Sequence, residues 1–296
     1  MSLAALDLRF PRALGARVFG AAMTVAVFGG LAGCGQVNGG YGGGTGGGGA
    51  AQLSADAGAG SQANIASLTE VIKANPNDAN AYNIRGTAFA RGGDAKSALA
   101  DFDQALKIAP DFHQAWANKG LAYRRLGRFD LAVDAYSRAI AIKPDYDTAY
   151  LGRGAVRRQL GQIDLALADY SEAIRINPRN PGAYHDRAIA RQGQGDKAGA
   201  MADYSAAIER DASAPEPFNA RGLLKVENGD LRGALDDFNG ALNNDLYFGE
   251  AWINRGIVEE QLGDRKDALA SCQRGAAIVP TSKLGQDCVR RLAGAR

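Results

Sequence analysis

The chain has 296 residues, of which 22% are charged and 46% are apolar, and its formal net charge at pH 7 is +2. These proportions are ordinary for a globular protein and exclude a wholly disordered or a fully membrane-embedded chain. A net charge this close to zero gives no electrostatic drive toward nucleic acid, so we expect no nucleic-acid partner.

Residues 1–33 have the pattern of a secretory signal. Arginines stand only in the first half, and residues 18–33 form an uncharged apolar run that is short for a bilayer span of about 20 residues. The run ends in the letters LAGC at Cys34, which resemble the lipobox of bacterial lipoproteins. The resemblance implies a lipoprotein signal peptide at 1–33 and lipidation of Cys34. The alternative is an uncleaved anchor followed by a chance cysteine.

Residues 34–60 are expected to be the lipidated cysteine and a flexible tether. Twelve of the 39 glycines lie in this segment, which has no apolar periodicity and cannot bury enough surface to offset its chain entropy. A glycine loop that cradles phosphate is disfavoured because no Gly-Lys-Ser or Gly-Lys-Thr follows. Gly35 follows the cysteine, and resemblance to the enterobacterial sorting rule then implies a bacterial envelope protein, lipid-anchored at the periplasmic face of the outer membrane.

From residue 79 onward the sequence repeats with a period of 34 residues. A small residue marks each unit, at Gly86, Gly120, Gly154, Ala188, Gly222 and Gly256. An aromatic residue stands four positions earlier, at Tyr82, Trp116, Tyr150, Tyr184, Phe218 and Trp252. A second aromatic column follows sixteen positions after the small residue, at Phe102, Tyr136, Tyr170, Tyr204 and Phe238. So many columns at one spacing indicate an internal repeat.

Each unit predicts two helices of about 14 residues. The first helix ends at a glycine seven positions after the small residue, where a left-handed conformation carries no Cβ penalty. The second helix of four units ends near a proline, which cannot continue a helix: Pro110, Pro144, Pro178 and Pro280. Ala212 and Leu246 replace that proline in the other two units, so the break after the fifth unit is the least clearly marked.

The columns resemble the tetratricopeptide (TPR) repeat, as in residues 82–89 (YNIRGTAF) followed by Ala98, Phe102, Ala105 and Pro110. The resemblance implies an all-α TPR helix-turn-helix solenoid over 61–296, with six full repeats at 79–282 and a C-terminal capping helix at 283–296. An N-terminal half repeat that lacks its first helix is indicated by Ile65, Leu68 and Ile72. One repeat cannot bury its apolar face alone, so the repeats must stack.

A basic column precedes the small residue, at Arg85, Lys119, Arg153, Arg187, Arg221 and Arg255. Aspartates follow sixteen positions later in four repeats, at Asp101, Asp169, Asp203 and Asp237. We prefer an ion pair between the two helices of a repeat, because an arginine fork suits a carboxylate at a partly buried contact. The alternative is a basic ladder that binds a ligand. Where Ala135 or Ser271 replaces the aspartate, the basic residue is expected to use Asp134 or solvent.

In TPR proteins the groove is lined by the second, fifth, ninth, twelfth and thirteenth positions of the first helices. Here the resemblance places basic residues in repeats 1 to 3, at Arg91, Arg124, Arg125 and Arg158, and His185 in repeat 4. It places acidic residues in repeats 5 and 6, at Glu216, Glu227, Glu250 and Glu260. Apolar residues among them are Leu121, Leu151, Ile189, Leu223, Ile253 and Ile257. Exposed apolar side chains rimmed by charge indicate a partner surface; the alternative is that neighbouring first helices cover them.

The sequence carries no motif of enzyme chemistry. It has no nucleophile elbow, zinc motif or Rossmann fingerprint, and its two histidines, His113 and His185, have no second ligand at metal spacing. We therefore expect no enzyme activity, no catalytic residue, no metal, no cofactor and no small-molecule substrate.

The resemblance implies a non-enzymatic, membrane-tethered adaptor of the bacterial cell envelope whose TPR groove binds partner peptides or proteins. Cell-wall remodelling enzymes or proteases are the expected partners, and the membrane is reached through the lipid anchor only. The alternative is a pilotin-like lipoprotein that assembles a pilus or secretion system. The chaperone-tail clamp of some TPR domains is disfavoured, because its lysine and asparagine positions hold Asn83, Thr87, Thr148 and Gly152, with only Asn118 matching.

Cys272 and Cys288 are the cysteines that remain after Cys34, and they are a candidate disulfide. Cys272 stands in the second aromatic column, so a small thiol there would loosen the last interface unless a bond compensated. The alternative is a pair of buried reduced thiols, which pack as small apolar residues.

Overall fold

A computed structural model describes residues 62–294 of the chain as helices joined by short turns, with no strand in that range. The signal peptide expected at 1–33 and the tether expected at 34–60, including Cys34, lie outside the described residues. No described helix is both long and apolar enough to cross a membrane. The helices are α1 (Gln62–Ala74), α2 (Ala79–Arg91), α3 (Ala95–Ile108), α4 (His113–Arg125), α5 (Phe129–Ile142), α6 (Asp147–Gln159), α7 (Ile163–Ile176), α8 (Pro181–Gly193), α9 (Lys197–Arg210), α10 (Pro215–Glu227), α11 (Leu231–Asn244), α12 (Gly249–Leu262), α13 (Arg265–Ile278) and α14 (Lys283–Gly294).

The expected all-α helix-turn-helix solenoid is confirmed. Helices α2 to α13 pack as six consecutive pairs, and each second helix also packs on the first helix of the next pair. Helix α1 packs on α2 through buried Leu68 and Ile72, and α14 packs on α13 as a closing helix. First helices of successive repeats also contact each other, as α2 does α4 and α4 does α6. We call the surface that these first helices share the groove.

The predicted glycine turns are present after every first helix, and after two second helices an aspartate turn takes the place of the missing proline. Each first helix is followed by a glycine with φ between 69° and 93°, a conformation that disfavours a side chain. After repeats 4 and 5, where proline is missing, an aspartate ends the helix in extended backbone and its Oδ1 accepts a hydrogen bond from the backbone N–H two residues on. Asp211 accepts from Ser213 at 2.9 Å, and Asp245 accepts from Tyr247 at 2.8 Å. These Asx turns end the second helix without a proline.

Small residues let the two helices of a repeat approach closely. A Cβ on Gly86 would lie 2.7 Å from Phe102 Cε1, and one on Gly154 would lie 2.8 Å from Tyr170 Cε1, both too close for a side chain. The alanine column that begins at Ala98 is fully buried in every repeat. An aromatic ring packed against a glycine therefore recurs in repeats 1, 2, 3 and 5.

The predicted ion pairs between arginine and aspartate are confirmed in four repeats. In repeat 3, Arg153 donates from Nε and Nη2 to Asp169 at 3.1 and 2.8 Å, and from Nη1 to Ser137 of the preceding second helix at 3.0 Å. Repeats 1, 4 and 5 have the same fork on Asp101, Asp203 and Asp237. Each arginine thus ties its own repeat together and fastens it to the one before.

The two repeats without that aspartate find other acids. Lys119 pairs with Asp103 of the preceding second helix at 2.6 Å, so the expectation of Asp134 or solvent is wrong there. Ala135 stands at the position of the missing aspartate, and the ammonium group pairs with the repeat before it instead. In repeat 6, Arg255 pairs with Glu259 on its own helix at 3.1 Å and donates to the Ser271 hydroxyl.

Cys272 on α13 and Cys288 on α14 form a disulfide, with a Cα–Cα distance of 6.0 Å. Both residues are fully buried, and Leu292 of α14 packs in the same cluster. The bond therefore occupies the place that an aromatic ring fills in the other repeats and fastens the closing helix.

Candidate functional site

Some of the groove charges predicted from the sequence are paired with other residues of the chain, and others are not. Within residues 62–294, three of the eight are held by an ion pair or by a backbone carbonyl. Arg125 donates to the Ala90 carbonyl at 2.6 Å, Glu227 pairs with Lys197 at 2.7 Å, and Glu260 pairs with a closing-helix arginine, Arg291. Arg291 also lowers the pKa of Glu260. The acidic end of the groove is thus partly neutralised by the chain itself.

None of the other five predicted groove charges forms an ion pair with a described residue, and among them only Arg158 interacts with one through a side-chain hydrogen bond, at the Tyr170 hydroxyl. Arg91, Glu216 and Glu250 are exposed, whereas Arg124 and Arg158 are half-buried. Because a half-buried guanidinium has lost part of its hydration, the last two are the costliest to leave unpaired. They stand at the same repeat position on neighbouring helices, α4 and α6.

Most of the apolar groove residues are half-buried and support the interfaces between repeats. Leu121, Leu151, Ile189, Leu223 and Ile257 each pack against a core cluster. Ile253 is 1% exposed, so its assignment to the groove is wrong. The alanine column becomes Gly275 in repeat 6, and a Cβ there would lie 2.5 Å from Ile253 Cγ1. The missing side chain opens the space that Ile253 fills.

Four side chains near the middle of the groove form one electrostatic group, which we call the central cluster: Arg124, Arg158, Tyr170 and Asp186. The charges of the two arginines and of Asp186 interact electrostatically with the Tyr170 hydroxyl. Both arginines also interact electrostatically with Asp186. Burial raises the pKa of Asp186, and the neighbouring His185 and arginines oppose that rise. Burial also raises the pKa of Tyr170, so its hydroxyl stays protonated.

Several polar atoms of the central cluster lack hydrogen-bond partners among the described residues. Among the described residues, the Tyr170 hydroxyl has no acceptor for its proton and the Arg158 Nε has no partner, although both atoms are buried. Asp186 has no hydrogen bond or ion pair to them either. His185 lies beside it, with its ring centroid 5.7 Å from that of Tyr204, and burial lowers the pKa of His185. A buried polar group without a partner is rare in native proteins, so this cluster is the candidate site.

Sequence reasoning placed Arg124, Arg158 and His185 in the groove but missed Tyr170 and Asp186. Tyr170 was interpreted only as a packing ring, and Asp186 stands at the sixth position of its repeat, outside the groove positions. A signal was present in the second aromatic column, where repeats 1 and 5 have phenylalanine and repeats 2 to 4 have tyrosine.

Comparisons with known proteins agree with this architecture. Family models of the tetratricopeptide repeat match residues 62–111, 113–146, 154–195 and 219–283. The chain is a tetratricopeptide-repeat solenoid. No curated protein matches it significantly.

Several solved TPR structures share the fold. The solenoid matches the APC/C hetero-tetramer Cut9-Hcn1 with a TM-score of 0.66 and 17% identity, over 79% of this chain and 46% of that one. It spans, therefore, about half the length of that protein. Pseudomonas aeruginosa PilF matches with a TM-score of 0.65 and 15% identity, over 71% of this chain and 95% of that one. PilW, described as a type IV pilus biogenesis factor, matches with a TM-score of 0.63 and 21% identity, over 71% of this chain and 97% of that one. At these identities the likeness shows the fold alone.

Proposed function

We propose that this TPR solenoid is a non-enzymatic adaptor whose groove binds a peptide segment of a protein partner. The observation that carries the proposal is the pair of half-buried guanidiniums, Arg124 and Arg158, which have no acidic partner among the described residues. Repeat proteins present such surfaces for extended ligands. Charge complementarity then orients the segment, with its acidic residues over repeats 2 and 3 and its basic residues toward the free carboxylates Glu216 and Glu250.

Photo-crosslinking tests the groove as the binding surface. A photoreactive amino acid replaces Gln159, an exposed groove position on α6, and a control chain carries it at Leu131, exposed on the second helix α5. The adaptor proposal predicts crosslinked partners from Gln159 that are absent from Leu131. Equal yields from both positions would contradict it.

Charge reversal tests the orientation. Arg124→Glu with Arg158→Glu is expected to abolish the crosslink, because two attractive contacts become repulsive. The control is Arg138→Glu with Arg179→Glu, which makes the same charge change at exposed residues away from the groove. Partner capture that survives the groove reversal would overturn the assignment. Arg125 is omitted from the test because it already serves the Ala90 carbonyl.

We propose in addition that the protein is a lipoprotein of the bacterial cell envelope, anchored through Cys34 at the periplasmic face of the outer membrane. The lipobox-like letters LAGC and the glycine-rich segment after them support this. Two or three acyl chains give stable anchoring without a membrane-spanning helix. Cys34→Ala should abolish both incorporation of labelled palmitate and membrane retention. Equal labelling of the variant and the wild type would refute the anchor.

Two partner classes fit this placement, and a pull-down that preserves lipid separates them. Cell-wall remodelling enzymes or proteases in the crosslinked fraction would support the first class. Pilins or a secretin would support a pilus-assembly lipoprotein, the candidate favoured by the fold likeness to PilF and PilW. No partner above background would contradict both.

A further inference from the structure

The Tyr170 hydroxyl is buried at the groove without a use in packing. Tyr170 is fully buried, and its ring lies against Gly154. Phe102 and Phe238 make the same ring contact with Gly86 and Gly222, so the column packs equally well without an oxygen. A buried hydroxyl that lacks a partner costs stability. Packing therefore does not explain why residue 170 is a tyrosine, and a ligand for its hydroxyl is the remaining explanation.

Repeat 4 shows what is missing in repeat 3. There the equivalent tyrosine, Tyr204, donates from its hydroxyl to Gln192 Oε1 at 3.0 Å, so the ring and the first helix satisfy each other. In repeat 3 the position of Gln192 is held by Arg158. A guanidinium only donates, so it offers no acceptor to the Tyr170 hydroxyl. The Tyr170 hydroxyl can accept from Arg158 but has no acceptor for its own proton, and the buried Arg158 Nε has no acceptor either among the described residues.

Charge narrows the class of acceptor. Arg124 adds a second unpaired guanidinium to the Tyr170 neighbourhood, whereas Asp186 adds one carboxylate. The cluster's formal charge is thus +1 when Asp186 is ionised. A planar group with two acceptor oxygens and a single negative charge matches both the guanidinium fork and this balance. A dianionic phosphoryl group would lie against the Asp186 carboxylate and exceed the available positive charge.

We propose that Arg124, Arg158 and Tyr170 bind one carboxylate group of the partner segment, and that Asp186 disfavours doubly charged anions at the same place. The site rests on the proposed function, because it lies in the same groove. It differs from the chaperone-tail clamp, whose lysine and asparagine positions are not filled here. The carboxylate is either an acidic side chain or the C-terminus of the partner chain.

Arginine Nε–Hε signals of the full chain, labelled with ¹⁵N-arginine, report on the site directly. The probes are three acetylated tripeptides: Ac-Gly-Glu-Gly-amide, the neutral Ac-Gly-Gln-Gly-amide, and Ac-Gly-Gln-Gly with a free C-terminus. The proposal predicts saturable shifts of the Arg158 signal with a carboxylate probe and none with the neutral one. The probe that binds more tightly identifies the source of the carboxylate. A phosphoserine tripeptide should bind more weakly than the better carboxylate probe.

Matched variants separate the site from the fold. Tyr170→Phe should weaken carboxylate binding about tenfold, the loss of a hydrogen bond to a charged group, without lowering the melting temperature. Tyr204→Phe is the control, since that hydroxyl already serves Gln192, and binding should stay within about twofold. Arg158→Gln recreates the repeat 4 pair in repeat 3, so it should lose binding and keep or raise the melting temperature. Arg138→Gln, an exposed control, should change neither.

Each failure points to a different claim. Absence of a saturable shift with both carboxylate probes, or wild-type affinity in Tyr170→Phe, would overturn the carboxylate site. If partners still crosslink at Gln159 in that case, the adaptor proposal stands without this site. Loss of all crosslinks together with intact carboxylate binding would instead contradict the adaptor.

Discussion

The arginine before the small residue is paired with a carboxylate in two different ways, in repeat 3 and in repeat 6. Converting the first arrangement into the second tests whether this ion pair stabilises the repeat. In repeat 3, Asp169 holds Arg153 and also Arg157, the latter at 2.8 Å. In repeat 6, Ser271 replaces that aspartate, and the carboxylate has moved to Glu259, at the position of Arg157. Asp169→Ser alone removes the acid from repeat 3, and adding Arg157→Glu restores it in the repeat 6 arrangement.

The magnitude follows from burial. The Asp169 side chain is 4% exposed, and the guanidiniums of Arg153 and Arg157 belong to side chains that are 16% and 17% exposed. Removing one partner of a buried pair leaves uncompensated charge and costs about 3–5 kcal/mol. The second change removes one of the two stranded cations and supplies an acid to the other. We expect it to recover about 2–3 kcal/mol of that loss, as a coupling energy between contacting residues.

Urea unfolding of the four chains of this double-mutant cycle gives the coupling energy. Hydrogen exchange of the repeat 3 amides accompanies it, because repeat arrays can unfold in parts. Asp134→Ser, at an exposed aspartate without a partner among the described residues, should change the free energy of unfolding by less than about 0.5 kcal/mol. If Asp169→Ser proves as mild as this control, or if the double variant is no more stable than the single one, the ion pairs of Asp169 do not stabilise repeat 3.

Three further predictions concern packing, the closing helix and pH. Gly152→Ala should destabilise the chain by about 1–3 kcal/mol, because its Cβ would enter the Tyr136 ring, and a urea midpoint equal to wild type would contradict this. Changing both Cys272 and Cys288 to alanine should cost about 3 kcal/mol and speed hydrogen exchange in α14, whereas unchanged exchange there would show that packing alone holds the helix. Burial holds the pKa of His185 below its ordinary value, so the unfolded chain takes up a proton first and stability should fall as pH drops below about 6.5. The fall between about pH 7.5 and about pH 5.5 should be smaller in His185→Asn, and an identical pH dependence of the urea midpoint would exclude this histidine as its source.

The repeating features of the molecule could be predicted from the sequence. The period of 34 residues specifies two helices per unit, the glycine that ends the first helix, and the ring that meets the small residue. The pair of Arg153 with Asp169 was predictable for the same reason, since both belong to one repeat and their spacing recurs. Local stereochemistry and a regular repeat determine such features.

The tertiary structure decided which groove charges are free. Glu260 is engaged by Arg291 of the closing helix, whereas Glu216 keeps no partner among the described residues. Ile253 turned into the core because Gly275 left space for it. The unsatisfied Tyr170 hydroxyl appeared only when its ring was placed against the first helix of the same repeat, where Arg158 holds the position of Gln192. The period does not determine these outcomes. They depend on the directions of individual side chains at the contacts between helices, and the residues that fill those contacts differ from one repeat to another.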